Sequence, residues 1–338
     1  MWWIWPVYVL ILVVVTFLSV LLARYVDALD KKTQMSDGVL GGVLLAGVTS
    51  LPELITSFTA VLLFNDAQMT FGNIMGSNFF DITIIGVLML SMFFIVKSRG
   101  VSKSTSYFIW LSFVLSAVIL VFNIFNWQVV IPGININILS LIILAFYVFV
   151  LVISRKNKEE KSDEIDGEEV KLSEKLEKMP VKKIVLCFVI VAVLLVGSSV
   201  GLTYATEFIA ENYEIGKGIA GALLLGIATS LPEVVSSIEL VRLKNFDMAV
   251  GNLFGSCMFN YLILTLVDIF YFSGSVFTFG LQSIYFAGFM LFSTVAFSLV
   301  YILKRKKAKV AQSSWLYITI GALMVASYLA CMILSAGL

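Results

Sequence analysis

Apolar runs of about 20 or more residues alternate with short polar connectors along most of this chain. A bilayer core about 30 Å thick takes about 20 apolar residues in a helix. Ten stretches meet that length, at 2–24, 38–64, 69–96, 105–123, 134–154, 182–206, 216–241, 248–272, 280–303 and 313–336. The pattern predicts an all-α polytopic membrane protein with ten transmembrane helices. The first run, from Trp2, has no basic residue before it and so lacks the leading region of a cleaved signal peptide. It reads as a retained span. The long polar stretch, 155–181, mixes lysines with Glu159, Glu160, Asp163, Glu164, Asp166, Glu168 and Glu169. Its acids do not follow the spacing of a calcium loop, so it reads as a solvated linker between 1–154 and 182–338.

Charge fixes the expected orientation. With ten spans, 22 of the 23 basic residues fall on one side and only Lys217 on the other. Basic residues mark cytoplasmic loops, so both termini are expected outside and the 155–181 loop inside, in a plasma membrane. Composition agrees with a lipid solvent: 60% of the 338 residues are hydrophobic and 13% charged, against about 25% charged in soluble chains. A near-zero net charge gives no basic footprint for nucleic acid. The absence of histidine removes His-based zinc sites and Ser-His or Cys-His nucleophile pairs. No catalytic constellation stands out, and the chain is not expected to be an enzyme. Nothing in it calls for an obligatory protein partner.

The chain repeats itself. Thr49-Ser50-Leu51-Pro52-Glu53 recurs as Thr229-Ser230-Leu231-Pro232-Glu233, offset by 180 residues. Gly72-Asn73-x-x-Gly76-Ser77 recurs as Gly251-Asn252-x-x-Gly255-Ser256, offset by 179. Each unit falls on two consecutive spans, and five spans per half make the two halves inverted. Inverted repeats with interrupted helices near the midplane are a recurrent build of secondary transporters.

The repeated residues point to cation chemistry. Glu53, Asp81 and Glu233 lie deep in spans that contain no deep Lys or Arg, and a carboxylate at such depth reads as functional. Pro52 and Pro232 each free the carbonyl four residues earlier, on Val48 and Ala228. The hydroxyls of Thr49, Ser50, Thr229 and Ser230 complete an all-oxygen setting of the kind that hard cations prefer. On the partner spans, Asn73, Ser77 and Asp81 recur every fourth residue and share one helix face, as do Asn252, Ser256 and Asn260. Asn78 and Cys257 are only candidate contacts, since they point about 100° from the adjacent serine. The four glycines of the second motif are expected to allow close helix approach.

These paired motifs resemble the α-repeats of the Na⁺/Ca²⁺ exchanger branch of the cation/Ca²⁺ antiporter superfamily, over 41–90 and 221–268. The resemblance implies a ten-helix inverted-repeat fold with Na⁺ and Ca²⁺ at overlapping central sites under alternating access. It implies no cofactor beyond these transported ions. Carried over by motif, Glu53 and Glu233 are the main Ca²⁺ ligands. Thr49, Ser50, Ser77, Thr229, Ser230 and Ser256 complete the coordination, and Ala46 and Gly226 supply backbone carbonyls. Asp81 and Asn260 take the paired third-span position, with the acid in the first repeat where microbial members carry it in the second. Val48 and Ala228 replace the family's usual glycine before Thr-Ser. The expected activity is exchange of Ca²⁺ for Na⁺, with H⁺-coupled exchange of Ca²⁺ or another divalent cation as the alternative and a cation channel behind both.

The charge asymmetry carries a topology prediction. In a cysteine-free background, an impermeant thiol reagent added outside should label Asn65→Cys and Phe125→Cys but not Lys161→Cys in intact cells. Labelling at 161 reverses the assignment.

Overall fold

The computed structural model describes residues 2–33, 47–98, 101–131, 136–156, 179–242, 246–305 and 313–337. Its helices are α1 (Ile4–Thr33), α2 (Leu51–Phe64), α3 (Ala67–Ser91), the short α4 (Phe93–Ser98), α5 (Lys103–Ile124) and α6 (Ile138–Lys156). The second half supplies α7 (Val181–Asn212), α8 (Lys217–Arg242), α9 (Phe246–Phe270), α10 (Leu281–Arg305) and α11 (Ser314–Ala336). Apart from α4, each falls on one of the ten expected spans. Eight are long and apolar enough to cross a membrane, and Leu51–Phe64 and Ile138–Val150 are the shorter apolar helices. Among the described residues the β-pairing amounts to one isolated antiparallel bridge, Val130 to Asn137. The architecture is all-α and polytopic, ten membrane helices in two inverted sets of five. Most of the linker lies outside the described residues.

Burial sorts the helices into layers. The most apolar window of α3 is 78% buried, against 28% for α1 and 22% for α7. Helices α1 and α7 pack on each other through Val15, Leu18 and Leu22 against Val191, Leu195 and Leu202. Their other faces expose Leu10, Phe17, Val193 and Leu194, which suits lipid contact. Helix α3 is central, with α8, α9, α10 and α11 around it.

Glycine makes the tightest of these contacts possible. A methyl group at Gly72 would strike the Gly218 carbonyl, and one at Gly76 would strike the Cα of Ala222. From the other side, Gly221 abuts the Met69 carbonyl. Backbones at that distance exclude any side chain. The glycine expectation therefore holds on α3. On α9 it takes another form, since Gly251 faces the Thr105 side chain at 3.4 Å and Gly255 meets nothing within 4 Å among the described residues.

The two helix interruptions differ in a way that the repeat does not suggest. In the first half the break falls at Ser50 (φ −89°, ψ 15°), and Pro52 sits in the first turn of α2, where its missing N–H is harmless. In the second half Pro232 lies inside an unbroken helical stretch, Ile227–Arg242. A π-helical turn lies upstream of it, at Gly221–Gly226, and the corresponding residues 41–46 of the first half lie outside the described residues. That turn carries the glycines packed on α3, so the wider winding coincides with the close approach.

One buried acid outside the repeated motifs has a structural role. Asp268, buried at the end of α9, accepts from the Asn137 N–H (2.8 Å), the Ser140 hydroxyl (2.7 Å), the Ser275 hydroxyl (3.0 Å) and the Val276 N–H (3.1 Å). Four donors satisfy its charge and pin the start of α6 and the 271–280 connection to α9. At the same end of the bundle Lys217 pairs with Glu207, with Glu211 at 3.7 Å.

The glycine contact predicts a selective loss of stability. Gly76→Val should lower the thermal midpoint in detergent by several degrees or prevent folding, since overpacking costs about 1–3 kcal/mol. Gly197→Val on α7, where nothing lies within 4 Å, should leave it unchanged. Size-exclusion thermostability profiles of both variants decide.

Candidate cation site

The motif residues converge where α2, α3, α8 and α9 cross. Ser50, Glu53, Asn73, Ser77, Asp81, Thr229, Ser230, Glu233 and Asn260 are fully buried, Ser256 is 1% exposed and Thr49 5%. Two serine pairs join the halves. Ser50 Oγ lies 3.1 Å from Ser256 Oγ, and Ser77 Oγ lies 2.5 Å from Ser230 Oγ. The repeat offsets convert each pair into the other, so the pseudo-two-fold axis passes between them.

Within each half an amide braces the carboxylate-bearing helix. Asn73 Nδ2 donates to Thr56 Oγ1 (2.9 Å) and Ser57 Oγ (3.0 Å). Asn252 Nδ2 donates to Ser236 Oγ (3.1 Å) and Ser237 Oγ (3.0 Å). Thr56 and Ser236 in turn donate to the carbonyls of Pro52 and Glu53, and of Pro232 and Glu233. The amide nitrogens of Asn73 and Asn252 thus serve their own repeat, although Asn73 Oδ1 stays buried without a partner. These four hydroxyls were not singled out as functional. Their signal was visible, because Thr56-Ser57 and Ser236-Ser237 continue the repeat.

The carboxylates are the least satisfied groups. Both oxygens of Glu53, both of Asp81 and Oε2 of Glu233 are buried with no hydrogen-bond partner among the described residues, five of the six. The sixth, Glu233 Oε1, takes a long bond from Ser256 Oγ at 3.3 Å. Glu53 lies near the hydroxyls of Thr229 and Ser77, and Asp81 near those of Ser230 and Ser256, all beyond hydrogen-bond geometry. The three acids lie within electrostatic reach of one another. They do not form a compact cluster. Among the described residues no three Asp, Glu or Cys side chains stand close enough to hold one ion between them.

The paired third-span position is reciprocal. Asn260 Nδ2 reaches Ser77 Oγ (3.1 Å) and Asn78 Oδ1 (2.9 Å) on α3. Asp81 stands near Ser256 and Cys257 on α9, and Cys257 Sγ lies 3.6 Å from the Asn78 carbonyl. Asn78 and Cys257, candidate contacts on helix phase, are therefore part of the central network. Gly226 ends the π turn against α3, where an added Cβ would lie 2.8 Å from Ser77 N and 2.9 Å from the Asn73 carbonyl oxygen. Ala46 lies outside the described residues.

Comparison with known proteins meets this geometry from outside. The family of the Sodium/calcium exchanger protein matches residues 3–156 and 183–337. The chain is 26% identical over 227 residues to the inner membrane protein YrbG of Escherichia coli, covering 67% of each. In fold it is similar to the H⁺/Ca²⁺ exchanger CAX, with a TM-score of 0.68 and 14% identity over 98% of this chain and 88% of that one. The sodium-calcium exchanger NCX_Mj gives a TM-score of 0.57 and 21% identity over 98% and 99%. With matched segments spanning both inverted halves and the carboxylates of both repeats at one centre, the chain belongs to the sodium/calcium exchanger family, in the cation/Ca²⁺ antiporter superfamily, and is a membrane antiporter rather than an enzyme.

Proposed function

We propose that this protein exchanges Ca²⁺ for Na⁺ across the plasma membrane by alternating access, with both termini outside. The observation that carries the reading is the set of five unpaired carboxylate oxygens at the centre of the bundle. A buried anion without donors or a basic partner is strongly unfavourable, and an exchanger always has a cation to supply the compensation. The neighbouring groups are oxygens, which suits Na⁺ and Ca²⁺.

In this reading Glu53 and Glu233 are the principal Ca²⁺ ligands. Thr49, Ser50, Ser77, Thr229, Ser230 and Ser256 contribute hydroxyls, Gly226 and Ala46 carbonyls. Asp81, Asn260, Asn73 and Asn252 shape the flanks. The three acids carry −3 when ionised, which matches three monovalent ions, or one divalent with one monovalent ion. The serine pairs supply a low-cost rearrangement, because a hydroxyl–hydroxyl bond that opens for an ion is replaced by a stronger ion–oxygen contact. The second reading couples Ca²⁺ to H⁺ through the same acids. Asp81 favours it, since neither of its oxygens has a donor and a proton neutralises a lone carboxylate as well as a metal does.

⁴⁵Ca²⁺ uptake into proteoliposomes under an imposed Na⁺ gradient should exceed uptake under a proton gradient alone. The opposite order establishes the second reading. In the same assay Glu53→Gln and Glu233→Gln should each lose about a hundredfold or more, since removing one member of a buried charge pair costs about 3–5 kcal/mol. Near-normal flux removes that residue from the site.

The reciprocal third-span position gives a second outcome. Asp81→Asn should impair exchange. Adding Asn260→Asp should restore part of it, because the charge returns on the symmetry-related helix. A double variant no better than Asp81→Asn at matched protein levels shows that Asp81 acts through its own helix.

A further inference from the structure

Helix α1 carries two hydroxyls on one face that reach the interruptions of both halves. Tyr8, buried between α1 and α8, donates to the Leu224 carbonyl at 2.5 Å, inside the π-helical turn Gly221–Gly226. Ser19 lies eleven residues on, about three helical turns and so on the same face. It is fully buried, and its hydroxyl donates to the Thr49 carbonyl at 3.4 Å, one residue before the break at Ser50. One helix from the first half therefore touches the second-half interruption near one end and the first-half interruption nearer the other.

Its repeat mate α7 is chemically different. At the 180-residue offset Tyr8 corresponds to Phe188, which has no hydroxyl, and Ser19 to Ser199. Ser199 is fully buried, yet its Oγ has no hydrogen-bond partner among the described residues. Buried hydroxyls are paired in nearly all structures, so an idle one calls for a reason. The same offset maps the bond from Ser19 to Thr49 onto a bond from Ser199 to Thr229. Inverted repeats supply the reason, because the two halves rock against each other between two facing states.

We propose that the α1 hydroxyls of Tyr8 and Ser19 hold the conformation seen here, and that Ser199 donates to the Thr229 carbonyl when the exchanger faces the opposite side. Ser19 and Ser199 form an alternating pair of positioning residues, one engaged in each state. Tyr8 has no mate, so its bond weights the equilibrium toward the present conformation. The proposal rests on the alternating-access reading above but not on which ions are exchanged.

Paired spin labels at Trp2→Cys and Phe272→Cys, both at exposed positions, report the distance between the segment entering α1 and the one leaving α9. Cys187, Cys257 and Cys331 are replaced by alanine for the measurement, which is made in nanodiscs. Tyr8→Phe keeps the ring and removes the donor, and should lower the ratio of present to opposite conformer about fivefold, the weight of one net hydrogen bond. Ser199→Ala should raise the same ratio, and Ser19→Ala should lower it. Tyr8→Phe leaving the ratio unchanged overturns the proposal, even if it lowers the thermal midpoint. So does a shift of Ser19→Ala and Ser199→Ala in the same direction. Loss of the Na⁺-driven flux pattern with these opposite shifts intact faults the ion assignment alone.

Discussion

Negative charge buried without compensation governs this structure. Glu53, Asp81 and Glu233 place up to three charges at the centre of a bundle whose outer surface is built for lipid. Such charges are held only where the surrounding backbone is fixed and a counter-ion can arrive. The features around them follow from that need. Amides from Asn73 and Asn252 brace the helices that carry the glutamates. The serine pairs close the centre between the halves with neutral bonds that an ion can replace.

Close packing of α3 on α8 makes this arrangement possible. Gly72, Gly76 and Gly221 let two backbones touch, which brings Ser77 within hydrogen-bond distance of Ser230. The π-helical turn lies in the same contact, so the irregular winding of α8 is supported by α3 rather than left to lipid. Asp268 shows the other way in which a membrane protein tolerates a buried acid. With four donors around it, it needs no cation, and it ties helix ends together. One side-chain type thus serves as a structural clamp in one place and, in the proposed reading, as a cation ligand in another. The number of donors decides which.

The halves are alike in sequence and unlike in detail. The first helix breaks at Ser50, whereas Pro232 sits within the continuous helix Ile227–Arg242. Inverted repeats that rock against each other between two facing states are asymmetric in either one. Helices α1 and α7 carry that asymmetry furthest. They pack on each other, face lipid along much of their length, and differ in which of their hydroxyls find a partner.

The sequence by itself determined the ten spans, the inverted duplication and the identity of the central acids. Each rests on local or repeating information: the apolar length that a bilayer imposes, two motifs recurring at nearly constant offset, and carboxylates in stretches with no basic partner. Only the tertiary structure decided the crossed serine pairs, the place of Asn78 in the centre, the bracing by Thr56, Ser57, Ser236 and Ser237, and the clamp at Asp268. It also decided that glycine packing concentrates on α3 although α9 carries the same motif. Most of these are contacts between residues far apart in the chain, from 128 to 206 positions for the longest. Their geometry depends on how whole helices cross, and a hydrophobic pattern specifies which face is buried without specifying what it meets there.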